Sequence, residues 1–110
     1  MDFIKLSQSL GIDIDMTLLL IDTWIESLNE DVMILDAEIS GGNLENVIAS
    51  AHKIKGASAQ LMIDDAAAIA REIEMKAKAG SLEGLENGIT LLLNMRDEII
   101  ESKETFLKTK

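Results

Sequence analysis

The chain contains no cysteine, no proline and no tyrosine, and its 110 residues include only two phenylalanines, one tryptophan and one histidine. Each scarcity removes a class of function. Without cysteine there is neither a disulfide scaffold nor a thiolate zinc site. A single histidine cannot supply the paired imidazoles of a zinc protease helix. Basic side chains are also scarce, ten against twenty acidic ones, and the resulting net charge of −10 repels a nucleic-acid backbone over most of the surface. Long apolar runs are missing. The densest, Met16 to Ile21, covers six residues and includes Thr17, far short of the roughly 20 needed to span a membrane. The N-terminus, MDFIKLSQ, has an acid at position two and lacks the basic start and apolar block of a signal peptide. A cytoplasmic location is therefore expected, and the initiating Met1 favours a chain that acts alone.

Hydrophobic residues make up 47% of the chain, too many for a disordered acidic tail. Abundant Leu, Ile, Ala, Glu and Lys without proline favours helix throughout. Gly11, the pair Gly41-Gly42 and Gly80 stand where helices should stop. Asp15, Asn43, Asp64 and Ser81 are candidate N-caps. Between these marks the periodicity predicts helices over about 3–10, 16–28, 30–39, 44–62, 65–79 and 82–107. Phe3 and Ile4 would dock the first. Leu18, Ile21, Ile25 and Leu28 form a stripe on the second, and Val32, Leu35 and Ile39 turn inward on the third. Leu85, Ile89, Leu92, Ile99 and Phe106 mark the buried side of the last, where Gly84 and Gly88 should loosen the first turns. The expected fold is all-α: one domain over residues 1–110, an antiparallel four-helix bundle with one or two additional short N-terminal helices.

The histidine lies in the predicted helix 44–62. Val47, Ala51, Ile54, Ser58 and Leu61 are spaced by four and three, which makes them its core stripe. Ile54 is about 200° around the helix from His52, so the imidazole points away from the core. Its neighbours on that face are Ile48, Lys55, Gly56 and Ala59. A glycine in a helix interior costs about 1 kcal/mol relative to alanine, and close approach of another molecule is a reason to keep it. Taken singly, an exposed histidine, a solvated lysine and a packing glycine are ordinary. Here all three fall within one turn.

The run Ala51-His52-Lys53-Ile54-Lys55-Gly56-Ala57-Ser58 resembles the signature of histidine-containing phosphotransfer (HPt) domains: histidine, any residue, an aliphatic, lysine, glycine, then two small residues. The chain length and helical layout agree with that family. The resemblance implies that His52 is the phosphorylated residue, that Lys55 helps neutralise the phosphoryl group, and that Gly56 leaves room for it and for the partner. Met62 departs from the pattern, because many members have glycine near the end of the motif helix.

If helices 44–62 and 65–79 form a hairpin turning near Ile63, residue 52 lies level with residue 74. Glu74 and Lys78 would then flank the histidine as supporting residues, and a carboxylate near an imidazole N–H orients the ring. The competing reading of Glu74 and Lys78 is a solvent-facing i, i+4 pair. Phosphoryl transfer depends on in-line positioning and charge neutralisation. The chain has no Walker-type glycine loop and no clear Mg²⁺ cage. Asp13 and Asp15 start like a calcium loop, but Leu18 and Trp24 occupy its glycine and glutamate positions. Ser58 lies on the core stripe, which argues against a nucleophilic serine, and the six methionines are scattered as core filler.

The resemblance implies a phosphorelay phosphocarrier rather than an autonomous enzyme. His52 would take a phosphoryl group from a receiver-domain aspartate and pass it to another receiver. No cofactor or metal is expected in this chain, and the resemblance implies Mg²⁺ on the partner receiver. The resemblance also implies response-regulator receivers and a hybrid sensor histidine kinase as partners, with monomer the family's default state. Docking should use an apolar patch with Ile48 and Ala59, extended by Leu19 or Leu20 if these are not bundle core. The alternative is a helical adaptor or inhibitor that binds a kinase or receiver without carrying phosphate. Residues 52 to 78 carry a net charge of +1 while the rest of the chain carries −11. A single phosphoryl group is thus tolerated locally on a protein that repels nucleic acid.

Overall fold

Three short polar side chains open helices by accepting an orphan amide of the first turn: Asp2 from Lys5, Asp13 from Met16 and Asn43 from Asn46. In the computed structural model, which describes residues 1–109, the helices are α1 (Phe3–Leu10), α2 (Ile14–Ser40), α3 (Leu44–Gln60), α4 (Asp64–Lys78) and α5 (Leu85–Lys108). The described residues contain no strand. Helices α2 to α5 form the antiparallel bundle, and α1 is its single short N-terminal addition.

Several expected boundaries moved. Residues 16–28 and 30–39 belong to one helix, because Asn29 costs only a fraction of a kcal/mol relative to alanine and nothing else there interrupts the backbone ladder. Asp13, not Asp15, is the cap of α2; Asp15 sits inside the first turn. Ile63 takes the N-cap position of α4 without a side-chain bond, leaving Asp64 and Asp65 in the first turn, where acids complement the helix dipole. Ser81 caps no helix but accepts from the amide of Glu83. Helix α5 starts three residues later than expected, at Leu85, behind Gly84 in the left-handed region at φ 74°. Helix α3 stops at Gln60, so Leu61 is half-buried at its C-cap. Ile4 is exposed, and Leu6 joins Phe3 as the docking residue of α1.

Small residues set how closely the helices approach. Helix α4 turns Ala66, Ala70 and Ala77 inward, and α3 carries Ala51 and Ser58 on its inward stripe, all buried. The α3–α4 pairing is accordingly the most extensive in the bundle. Helix α2 packs on the other side of α3, and α5 closes the ring against α2 and α4. Gly88 does not loosen α5. A Cβ there would lie 2.8 Å from Ile73 Cδ1, so the missing side chain admits the α4 isoleucine. Ile21, Leu28, Leu35, Ile54 and Leu92 fill the centre. At one end Phe3 of α1 meets Phe106 of α5 edge-to-face, with ring centroids 5.4 Å apart.

Candidate functional site

The outward face of α3 is set by its inward one. Val47, Ala51, Ile54 and Ser58 are buried, and the Ser58 hydroxyl accepts a hydrogen bond from Trp24 Nε1 at 3.0 Å in the core. That bond satisfies the buried indole and serine together and keeps Ser58 away from solvent chemistry. With this stripe anchored, helical geometry turns His52 outward, and its side chain is 67% exposed. Lys55 is half-buried beside it, Gly56 and Ala59 are exposed, and Ile48 is half-buried. A Cβ built on Gly56 meets nothing within 4 Å. Packing inside this protein therefore gives no reason for the glycine, and the surface it leaves open lies next to the imidazole.

Residues 52 and 74 lie level across the α3–α4 hairpin. Glu74 is 3% exposed, which removes the solvent-facing reading for it. His52 Nδ1 donates to Glu74 Oε2 at 2.8 Å, and Lys55 Nζ donates to Oε1 at 2.7 Å. The ammonium of Lys78, one turn along α4, stands 4.0 Å from Oε2 with its side chain largely exposed. The hydrogen bond from Lys55 is the main influence holding the Glu74 carboxyl below the ordinary glutamate pKa. Burial pushes the other way, and His52 and Lys78 add to the lowering. An ionised carboxylate can only accept, so the proton of a neutral ring resides on Nδ1 and the lone pair on Nε2. No hydrogen-bond partner meets Nε2 among the described residues.

A second acid meets α3 from the opposite side, and sequence reasoning missed it. Asp31 of α2 is buried and accepts from Lys53 Nζ at 2.9 Å. That hydrogen bond, more than any other influence, raises the Lys53 pKa. A signal existed: Asp31 lies three residues after Leu28 and four before Leu35, on the core stripe of α2, where a carboxylate needs a cation. Trp24 was passed over in the same way, although it stands three residues from Ile21 and four from Leu28 on that stripe.

Leu19 is 57% exposed and Leu20 half-buried, so neither is bundle core. Among the described residues no group of three or more His, Asp or Glu side chains is arranged to hold a metal ion. No helix there is long and apolar enough to cross a membrane.

Comparison with known proteins agrees with this fold. The crystal structure of the HPT domain from the Hpt sensor hybrid histidine kinase of Shewanella superimposes with a TM-score of 0.75. The match covers 100% of this chain and 95% of that one at 19% identity, a likeness of fold. No curated protein matches the chain. The family model for the Hpt domain matches residues 19–102, which take in the bundle from early α2 to late α5 together with His52, Lys55, Gly56 and Glu74. The chain belongs to the Hpt domain family.

Proposed function

We propose that this chain, as an Hpt domain, carries phosphoryl groups within a phosphorelay and that the carrier atom is Nε2 of His52, loaded from the aspartyl phosphate of one receiver domain and unloaded onto the aspartate of another. The observation that carries this reading is the exposed imidazole whose Nδ1 is engaged by a buried, ionised Glu74. In the loading step the Nε2 lone pair forms a bond to phosphorus while the acyl P–O bond breaks, and the receiver carboxylate leaves as an anion. The ring becomes positively charged, and Glu74 stabilises that charge through the Nδ1–H it already accepts. Unloading reverses the exchange: a carboxylate oxygen attacks phosphorus, the P–N bond breaks, and the ring returns to neutral.

Lys55 lies where it can turn from Glu74 towards the phosphoryl oxygens, and the open surface at Gly56 admits the receiver. Ile48 and Ala59, with Leu19 and Leu20 on α2, supply the apolar part of the docking face. The chain contributes no cofactor. The receiver brings Mg²⁺, and a hybrid sensor kinase supplies the relay, with this protein acting as a cytoplasmic monomer and a carrier rather than an autonomous catalyst.

The test is to incubate the protein with a panel of phosphorylated receiver domains and follow acid-labile phosphate on wild type and His52→Gln. Labelled wild type and unlabelled variant are expected, with the phosphorus on Nε2 by NMR. Wild type that stays unlabelled across the panel would overturn the carrier reading in favour of an adaptor that binds without carrying phosphate.

A further inference from the structure

Glu74 holds more cation than it needs. Its side chain is 4% exposed and carries one negative charge, yet it faces the ammonium of Lys55 at 2.7 Å, that of Lys78 at 4.0 Å and the imidazole N–H of His52 at 2.8 Å. In the phosphocarrier reading, on which this inference rests, Lys55 turns from Glu74 towards a phosphoryl group on Nε2. A buried carboxylate stripped of its cation is costly, so a lysine held at 2.7 Å by such a group would not be free to move. The other lysine beside Glu74 is Lys78, one helical turn away on α4 and 60% exposed along its side chain.

We infer that Lys78 is a positioning residue that takes over Glu74 when Lys55 turns to the phosphoryl group. Lys78 acts through Glu74 and not on phosphorus. Its distance of 4.0 Å suits a waiting cation: near enough to be drawn in by the carboxylate, too far for a hydrogen bond in the unphosphorylated state. Both states of the site then keep a cation on the buried carboxylate, and the surplus positive charge moves to wherever the phosphoryl group is. Lys53 cannot play this part, because its ammonium is engaged by Asp31 on the opposite flank of α3.

The test is a double-mutant cycle on phosphohistidine formation, with potassium phosphoramidate as the donor, so that no cognate receiver is needed. In the wild-type background Lys78→Ala should slow labelling of His52 about fivefold, and Lys78→Arg should restore most of the rate. In a Glu74→Gln background, where no buried charge needs a replacement cation, the cost of Lys78→Ala should shrink to less than twofold. An equal cost in both backgrounds would show that Lys78 acts directly on the phosphoryl group and overturn the inference; so would no cost in the wild type. Lysine ammonium NMR gives a second readout that does not depend on how well Glu74→Gln folds. On phosphorylation the Lys78 Nζ signal should become protected from exchange as the Lys55 signal shifts, and an unchanged Lys78 signal would equally overturn the idea. If wild type takes no phosphate from either phosphoramidate or phosphorylated receivers, it is the phosphocarrier reading that fails.

Discussion

Asp31 and Glu74 are both buried carboxylates that meet α3 from its two neighbours, α2 and α4, yet they are used differently. Asp31 holds one lysine, Lys53, at 2.9 Å, so its charge is matched and the pair is closed. Glu74 gathers Lys55, Lys78 and the imidazole of His52, which leaves one positive charge beyond neutrality on the face where the imidazole is exposed. The contrast separates a clamp from a site. A matched pair fixes the helix and has nothing to offer a new anion, whereas an over-supplied carboxylate orients the exposed imidazole and keeps a second cation close to it. The same helix thus carries lysines two residues apart, Lys53 and Lys55, with unlike roles set by which neighbouring helix supplies the acid.

The sharpest way to break this comparison is to remove each lysine in turn. Lys55→Ala should slow labelling of His52 at least tenfold, since a charge-assisted contact to the transferring group is lost. Lys53→Ala should change it less than twofold. Rates taken side by side on phosphoramidate decide the matter, and similar losses in both would dissolve the distinction between clamp and site.

A second effect concerns stability against pH. The folded-state pKa of Glu74 lies below the ordinary glutamate value of 4.5. The unfolded chain therefore binds more protons in the interval between the two, and stability rises with pH there. The contribution of Glu74 is fully present above about pH 5.5 and is lost as pH falls through the folded-state value. Glu74→Gln should accordingly destabilise by about 2 kcal/mol at pH 7, typical of losing hydrogen bonds to a charged group. Thermal melts at descending pH should show that gap closing as pH falls below the ordinary glutamate value; a gap independent of pH would mean that the carboxylate is not ionised in the folded protein.

The smallest effect tests the turn that sets the register between His52 and Glu74. Met62 follows the C-cap of α3 at φ 57°, in the left-handed region, while the amide of Ile63 bonds back to the carbonyl of Ser58. A side chain in that conformation costs about 1 kcal/mol, and Met62 is half exposed, so little packing compensates it. Met62→Gly should raise stability by about that amount in denaturant titrations, with the His52–Glu74 pairing intact. Met62 thus departs from the glycine often found here in residue type while keeping the glycine-like turn.

The motif face on α3 was legible in the sequence because helical periodicity needs only one helix. Once Val47, Ala51, Ile54 and Ser58 share the core, His52 has to face outward. The hairpin register placed residue 74 opposite residue 52 by counting from the turn. Counting could not show whether Glu74 would be buried or solvated. That depends on how near α4 comes, and the alanines Ala66, Ala70 and Ala77 bring it close. Nor did periodicity show that Asn29 lies inside a continuous helix. A residue of middling helix propensity is carried through when packing on both sides holds the backbone ladder.

By itself the sequence determined that the chain is helical, that it has one histidine, and that this histidine stands beside Lys55 and Gly56 on a face turned from the core. Those features follow from residue type and a 3.6-residue period, which act within a few turns of one helix. Tertiary structure alone decided which carboxylate receives which cation. Lys53 and Lys55 have similar stems and the same charge, and only the placement of α2 and α4 around α3 commits one to Asp31 and the other to Glu74. Electrostatic pairing depends on distance and burial between helices, and neither quantity is written in the spacing along a single one.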